Sequence, residues 1–120
     1  MKPISLLTSL LFAPMLVFLL AAPAFAQQKP PPSPADVTLS QITHYQTDME
    51  MGCKDAGIKR GDSVQKTSEF CTCVLNVLRD SIKQEEWQRA YFYAANSRDR
   101  EESEILNPHL RKSSVCRASP

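Results

Sequence analysis

The sequence predicts an all-α protein, a small three- to four-helix bundle cross-linked by two disulfides. Three observations carry that expectation. Apolar residues recur at steps of three and four along most of the chain. No stretch alternates apolar and polar residues between turn markers for long enough to make a strand. A polypeptide of only 120 residues holds an even set of four cysteines, Cys53, Cys71, Cys73 and Cys116, a pattern that points to pairing in an oxidising compartment.

Residues 1–26 have the three parts of a cleavable secretory signal. Lys2 supplies the positive charge, the apolar run is richest from Leu10 to Ala22, and Ala24-Phe25-Ala26 places small side chains where signal peptidase requires them. Pro14 and Pro23 interrupt the run, leaving it short of the roughly 20 residues that span a bilayer. No cysteine near the cut offers a lipid acceptor. The mature chain is therefore expected to begin at Gln27, to keep no stable membrane span, and to be periplasmic or secreted. Cleavage leaves 94 residues and takes away Lys2, one of 14 basic residues, so 13 basic side chains face 13 acidic ones. Formal neutrality argues against nucleic acid or an anionic membrane as partner, since both reward a strong positive excess. So short a chain buries a modest core and often needs a covalent staple.

Residues 27–35 form a Pro-rich leader, expected to stay extended and mobile because four prolines within Gln27–Pro34 leave few backbone donors and no apolar face. The helical domain should occupy 36–118. Its first helix is predicted over 36–56, with Pro34 in an early turn and Thr38-Leu39-Ser40-Gln41 as a later cap. Leu39, Ile42, Tyr45, Met49, Cys53 and Ala56 make its apolar stripe, and Gly57 is the expected left-handed stop. Asp62 or Ser63 can cap a second helix running to Ser81. At about 100° per residue, Phe70, Cys71, Cys73, Val74, Leu75, Val77, Leu78 and Ile82 fill an arc of about 200°. A face that wide needs neighbours on two sides and marks this helix as the centre of the bundle. A third helix is predicted over 83–96 with Trp87, Ala90, Tyr91 and Ala94 inward. The charged stretch 97–104 fits a loop or a solvated helix equally well. Asn107-Pro108 reads as the start of a final short helix carrying Leu110 and Cys116.

Cys71 and Cys73 stand two apart on the central helix, so their side chains diverge by about 200°. A bond between them would break that helix, so each should reach a different neighbour. Two pairings satisfy this, Cys53–Cys71 with Cys73–Cys116, or Cys53–Cys73 with Cys71–Cys116. Either closes one loop of about 20 residues and one of about 45, and each bond is worth on the order of 2–4 kcal/mol. The competing reading is a thiol-redox or metal-handling protein acting through the Cys-x-Cys pair. Redox thiols favour an exposed position beside a helix N-terminus or a cation, whereas these lie inside a helix behind Glu69 and Phe70. Soft thiolates suit copper(I) or zinc, but no Cys-x-x-Cys is present and the spacings match no common zinc framework.

Elsewhere the chemistry is sparse. His44 and His109 are expected to be solvated. No nucleophile elbow surrounds any serine and no glycine loop could cradle phosphate, so no catalytic residue, metal ligand or cofactor is assigned. The acidic clusters read as solvated helix faces. Tyr91-Phe92-Tyr93 is the exception. Three consecutive rings on a helix point three ways, so Phe92 and Tyr93 either pack against another helix or form a contact patch for a partner.

With Phe70-Cys71-Thr72-Cys73-Val74, the following Ser81–Trp87 helix start and the lone C-terminal Cys116, the chain resembles small exported proteobacterial helical proteins of unknown function that share an aromatic-Cys-x-Cys motif. The resemblance covers roughly residues 50–118. It implies a periplasmic helical domain and no catalytic residue. The function expected is non-enzymatic binding, in the envelope, of a protein partner or a small apolar ligand.

Overall fold

The computed structural model describes residues 29–117; the signal sequence lies outside them. Four helices follow one another: α1 (Leu39–Lys59), α2 (Val64–Ser81), α3 (Gln84–Ala95) and α4 (Asp99–Leu110). A 3-10 turn, Pro34–Asp36, precedes them and a 3-10 segment, Arg111–Arg117, ends them. There is no strand among the described residues, and the bundle is cross-linked by two disulfides.

Helix α1 starts at the later of the two caps. The Thr38 N–H donates to Gln41 Oε1 at 2.8 Å, and the Gln41 N–H donates to Thr38 Oγ1 at 3.2 Å, a reciprocal capping box. Upstream the expected mobile leader is partly docked. Pro31 is buried, Pro34–Asp36 packs on α3, and Gln88 Nε2 donates to the Val37 carbonyl at 3.2 Å. The apolar stripe of α1 is also narrower than expected. Ile42 is buried and Tyr45, Met49 and Cys53 are half-buried, while Leu39 and Ala56 are exposed at the helix ends.

Gly57 is not the stop. It lies inside α1 and is buried, whereas Gly61 takes the left-handed conformation with φ of 91°. There the Asp62 N–H bonds the Gly57 carbonyl and the Gly61 N–H bonds that of Ile58, the two bonds of a Schellman ending. Any of the three glycines could have ended the helix by its own preference. Contact decides, because Gly57 lies directly against Thr67 of the next helix, with no room for a Cβ.

The turn sends α2 back antiparallel to α1, capped by Ser63, whose Oγ accepts from the Lys66 N–H. The pair is zipped by facing residues. Gly57 meets Thr67, Cys53 bonds Cys71, Thr72 Oγ1 donates to Glu50 at 3.1 Å, and Arg79 Nε donates to Gln46 at 3.1 Å. Helix α2 is central, as its wide arc predicts. Among the described residues, Cys71, Leu75 and Leu78 are the largest fully buried side chains, with Leu78 at 0 % exposure.

Helix α3 presents Trp87 and Ala90 to the core. It ends at Ser97, which adopts φ of 55° so that the Arg98 N–H can return to the Tyr93 carbonyl. The charged run after it is helix, not loop. Asp99, Glu101 and Glu102 fall in the first turn of α4, where acids complement the exposed N–H groups of the helix end. Pro108 therefore does not begin a new helix. It sits inside α4, and the segment that carries Cys116 is a 3-10 continuation. Tyr45 ties three helices together, meeting the Trp87 and Tyr91 rings edge-on at 6.1 and 5.8 Å and donating its hydroxyl to Glu102. Burial first, then the Glu102 carboxylate, pushes the Tyr45 phenol well above its ordinary range.

Candidate functional site

Each half of the Cys-x-Cys pair has a separate task. Cys71 bonds Cys53 on α1, and Cys73 bonds Cys116 on the 3-10 segment, each with Cα atoms 5.8 Å apart. The geometry selects the first of the two pairings, because α1 packs on the border of α2 that carries Cys71. All four sulfurs are thus engaged and no free cysteine remains.

Those bonds frame an apolar hollow. Between α1, α2 and the C-terminal segment lies an open apolar groove of 380 Å³, lined by the partly exposed Met49, Phe70 and Leu110 over the buried Val74, Leu75 and Leu78. Cys53, Ser113 and Arg117 complete its lining, and of these three Arg117 is the one exposed to solvent. Both disulfides originate on the stretch of α2 that lines this space, so they tie α1 and the C-terminal segment to the helix beneath it. The volume falls in the roughly 300–1,000 Å³ range of small-molecule sites, and the lining is the mostly apolar kind such sites use. Periodicity had marked these residues as core, and nothing local shows that neighbouring helices leave a gap above them.

A second cleft of 370 Å³ lies between α1 and α3, lined by His44, Tyr45, Asp48 and Tyr91 among others. His44 is exposed there, as expected of a solvated side chain. Its walls mix polar side chains with Tyr91, Ala94 and Ala95, so it is less apolar than the groove beside the disulfides.

His109 differs from expectation. It is buried on α4, with Nδ1 3.1 Å from Ser81 Oγ and Nε2 3.3 Å from Glu86 Oε1. Reading Pro108 as a helix start had put His109 in an exposed first turn; in the continuous α4 it faces the α2–α3 connection. Hydroxyl, imidazole and carboxylate in series have the composition of a nucleophilic triad, but none of the three lines the apolar groove, the α1–α3 cleft or the two shallower clefts beside Arg117. Their effect is to clamp the α2–α3 turn onto α4. Glu86 also accepts the Lys83 N–H at 3.0 Å. That backbone bond first, then His109, holds the Glu86 carboxyl below its ordinary value. A carboxyl depressed in the folded state gives stability that is present above its unfolded pKa and lost as pH falls through the folded one. Glu86→Gln should cost less than about 1 kcal/mol at pH 7, and its melting temperature should converge on the parent's between pH 5 and 3. A constant gap across that range would show that the carboxylate charge has no part in the clamp.

Phe92 and Tyr93, the expected partner contacts, are both half-buried. Phe92 packs against the core cluster and meets Tyr93 edge-on at 5.5 Å, while the Arg98 guanidinium lies 4.9 Å over the Tyr93 ring. Neither lines any of those four clefts. Among the described residues no group of three or more His, Cys, Asp or Glu side chains is placed to hold a metal ion, and no helix is long and apolar enough to cross a membrane. The chain matches no family model, no curated protein and no solved structure.

Proposed function

We propose that this is a non-enzymatic, exported binding protein of the cell envelope, and that it takes a small apolar ligand between α1, α2 and the C-terminal segment. The observation that carries the reading is the apolar 380 Å³ groove flanked by α1 and the C-terminal segment, each bonded to α2. An apolar guest laid in this groove would remove the exposed parts of Met49, Phe70 and Leu110 from water and make dispersion contacts with them. Two disulfides keep the site open without a guest, which lowers the ordering cost of binding. Residues 1–26 and the disulfides support export. The thiol-redox or metal-handling alternative gains no observation, since Cys71 and Cys73 are separately bonded.

Protein recovered from the envelope fraction should begin at Gln27 by intact mass. The neutral fluorophore N-phenyl-1-naphthylamine should bind it 1:1 with Kd of roughly 1–100 μM. Met49→Trp, which fills the hollow from its rim, should abolish binding while the fold persists by circular dichroism. Equal binding by that variant would place the ligand elsewhere, and no binding by either protein would end the proposal.

A further inference from the structure

We propose that the ligand is a long-chain carboxylate, with its apolar chain in the hollow and its acidic head on Arg117; this rests on the binding site proposed above. Arg117 is shared by three adjoining concave volumes, the apolar hollow of 380 Å³ and two shallower ones of 560 and 440 Å³. It is where the apolar space meets solvent. The charged residues lining the three volumes are Arg60, Arg111 and Arg117 against Asp62 alone. Asp62 is itself 3.5 Å from Arg60. Among the described residues, Arg117 takes part in none of the ion pairs.

The mature chain is formally neutral, yet Arg111–Arg117 holds three basic residues and no acid, and Cys116 bonds this segment to the floor of the hollow. One apolar space with a cationic mouth fits a guest that is apolar over its length and anionic at one end. Ser113 Oγ already donates to the Leu110 carbonyl, so the guanidinium is the donor left at the mouth. Its planar fork matches the two oxygens of one carboxylate. The single apolar space is of a size for one chain rather than two.

Titration calorimetry with three ligands built on a twelve-carbon chain, all below their micellar range, separates head from chain. Dodecanoate should bind 1:1 and about tenfold more tightly than dodecanol, and dodecyltrimethylammonium should bind more weakly than either. Arg117→Gln, an exposed change that leaves the melting temperature in place, should remove that tenfold advantage and leave dodecanol unaffected. Its loss should be mirrored in the parent protein at high salt. Equal affinity for dodecanoate and dodecanol, or an Arg117→Gln variant that still prefers dodecanoate, overturns the head-group assignment while the apolar site stands. Tighter binding of dodecyl phosphate than dodecanoate overturns the carboxylate in favour of a phosphate head. Light scattering that shows ligand-free dimers which dodecanoate does not dissociate assigns the face to a second copy of the chain. If no twelve-carbon ligand binds, the binding function falls as well.

Discussion

Replacing Cys73 and Cys116 together with alanine should lower the unfolding free energy by about 4 kcal/mol, from the closure entropy of a loop with sequence separation 43. For a domain of this size that is a fall in melting temperature of about 15–30 °C. The local consequence is more specific. Arg111–Arg117 is a 3-10 segment of seven residues in which only Cys116 is buried. Such a short helix has little stability of its own, so the sulfur bridge is its main attachment to α2. Amide exchange over 111–117 should therefore approach that of free peptide in the double variant, and the apolar hollow should lose its outer wall and its ligand. Cys53→Ala with Cys71→Ala removes about 3 kcal/mol of loop entropy for a separation of 18. It also truncates a side chain only 1 % exposed. The total losses of the two variants can then be close, and exchange distinguishes them. With the first bond gone, α1 and α2 still meet through Gly57–Thr67, Glu50–Thr72 and Gln46–Arg79, so protection should fall across the whole domain rather than in one segment. Full protection of 111–117 without the Cys73–Cys116 bond would show that packing, not the bridge, holds the segment.

The second large effect comes from a single methyl group. A Cβ on Gly57 would lie 2.5 Å from Thr67 Cγ2 and 2.8 Å from Thr67 Oγ1, while a Cβ on Gly52 would have nothing within 4 Å. Both glycines lie inside α1. Alanine gains about 1 kcal/mol of helix propensity at either site, so Gly52→Ala should stabilise the protein by about that amount. At Gly57 the overlap outweighs the gain. Thr67 is 5 % exposed and cannot swing away, and forcing α1 off α2 strains the Cys53–Cys71 bond one turn along. Gly57→Ala should cost about 1–3 kcal/mol and Gly57→Val more. Thr67 Oγ1 is buried without a hydrogen-bond partner, so Thr67→Ala removes the obstruction and loses no hydrogen bond. Combining Thr67→Ala with Gly57→Ala should recover more than about 1 kcal/mol of the loss, a coupling that chemical denaturation of the four proteins measures. Additive losses would mean that the two residues do not meet.

These two effects mark the boundary between local and global information. Helical class, the central place of α2 and the divergence of Cys71 from Cys73 all follow from a 3.6-residue period, which any short window of sequence contains. That divergence alone determined that two separate bridges form, each tying a different part of the chain to one helix. The partner of each sulfur was not legible. Cys71 and Cys73 border the same apolar arc, and only the side on which α1 lands tells them apart. Gly57 and Gly61 were interchangeable as stops by residue type, and the choice between them came from the approach of Thr67, ten residues past Gly57.

The remaining differences have the same cause. Asn107-Pro108 carries a valid start signal, yet the first-turn acids of α4 and the burial of Leu106 and His109 carry one helix through it. His109 looked solvated because Ser81 and Glu86, its partners, are 28 and 23 residues away. Residues of the hollow were visible to the sequence as apolar, but whether an apolar face is covered depends on how two other elements meet over it. Sequence by itself determined which faces must be buried, since periodicity is a property of one helix. Tertiary structure decided what each face is buried against, and where it is left open, since those depend on the placement of at least two.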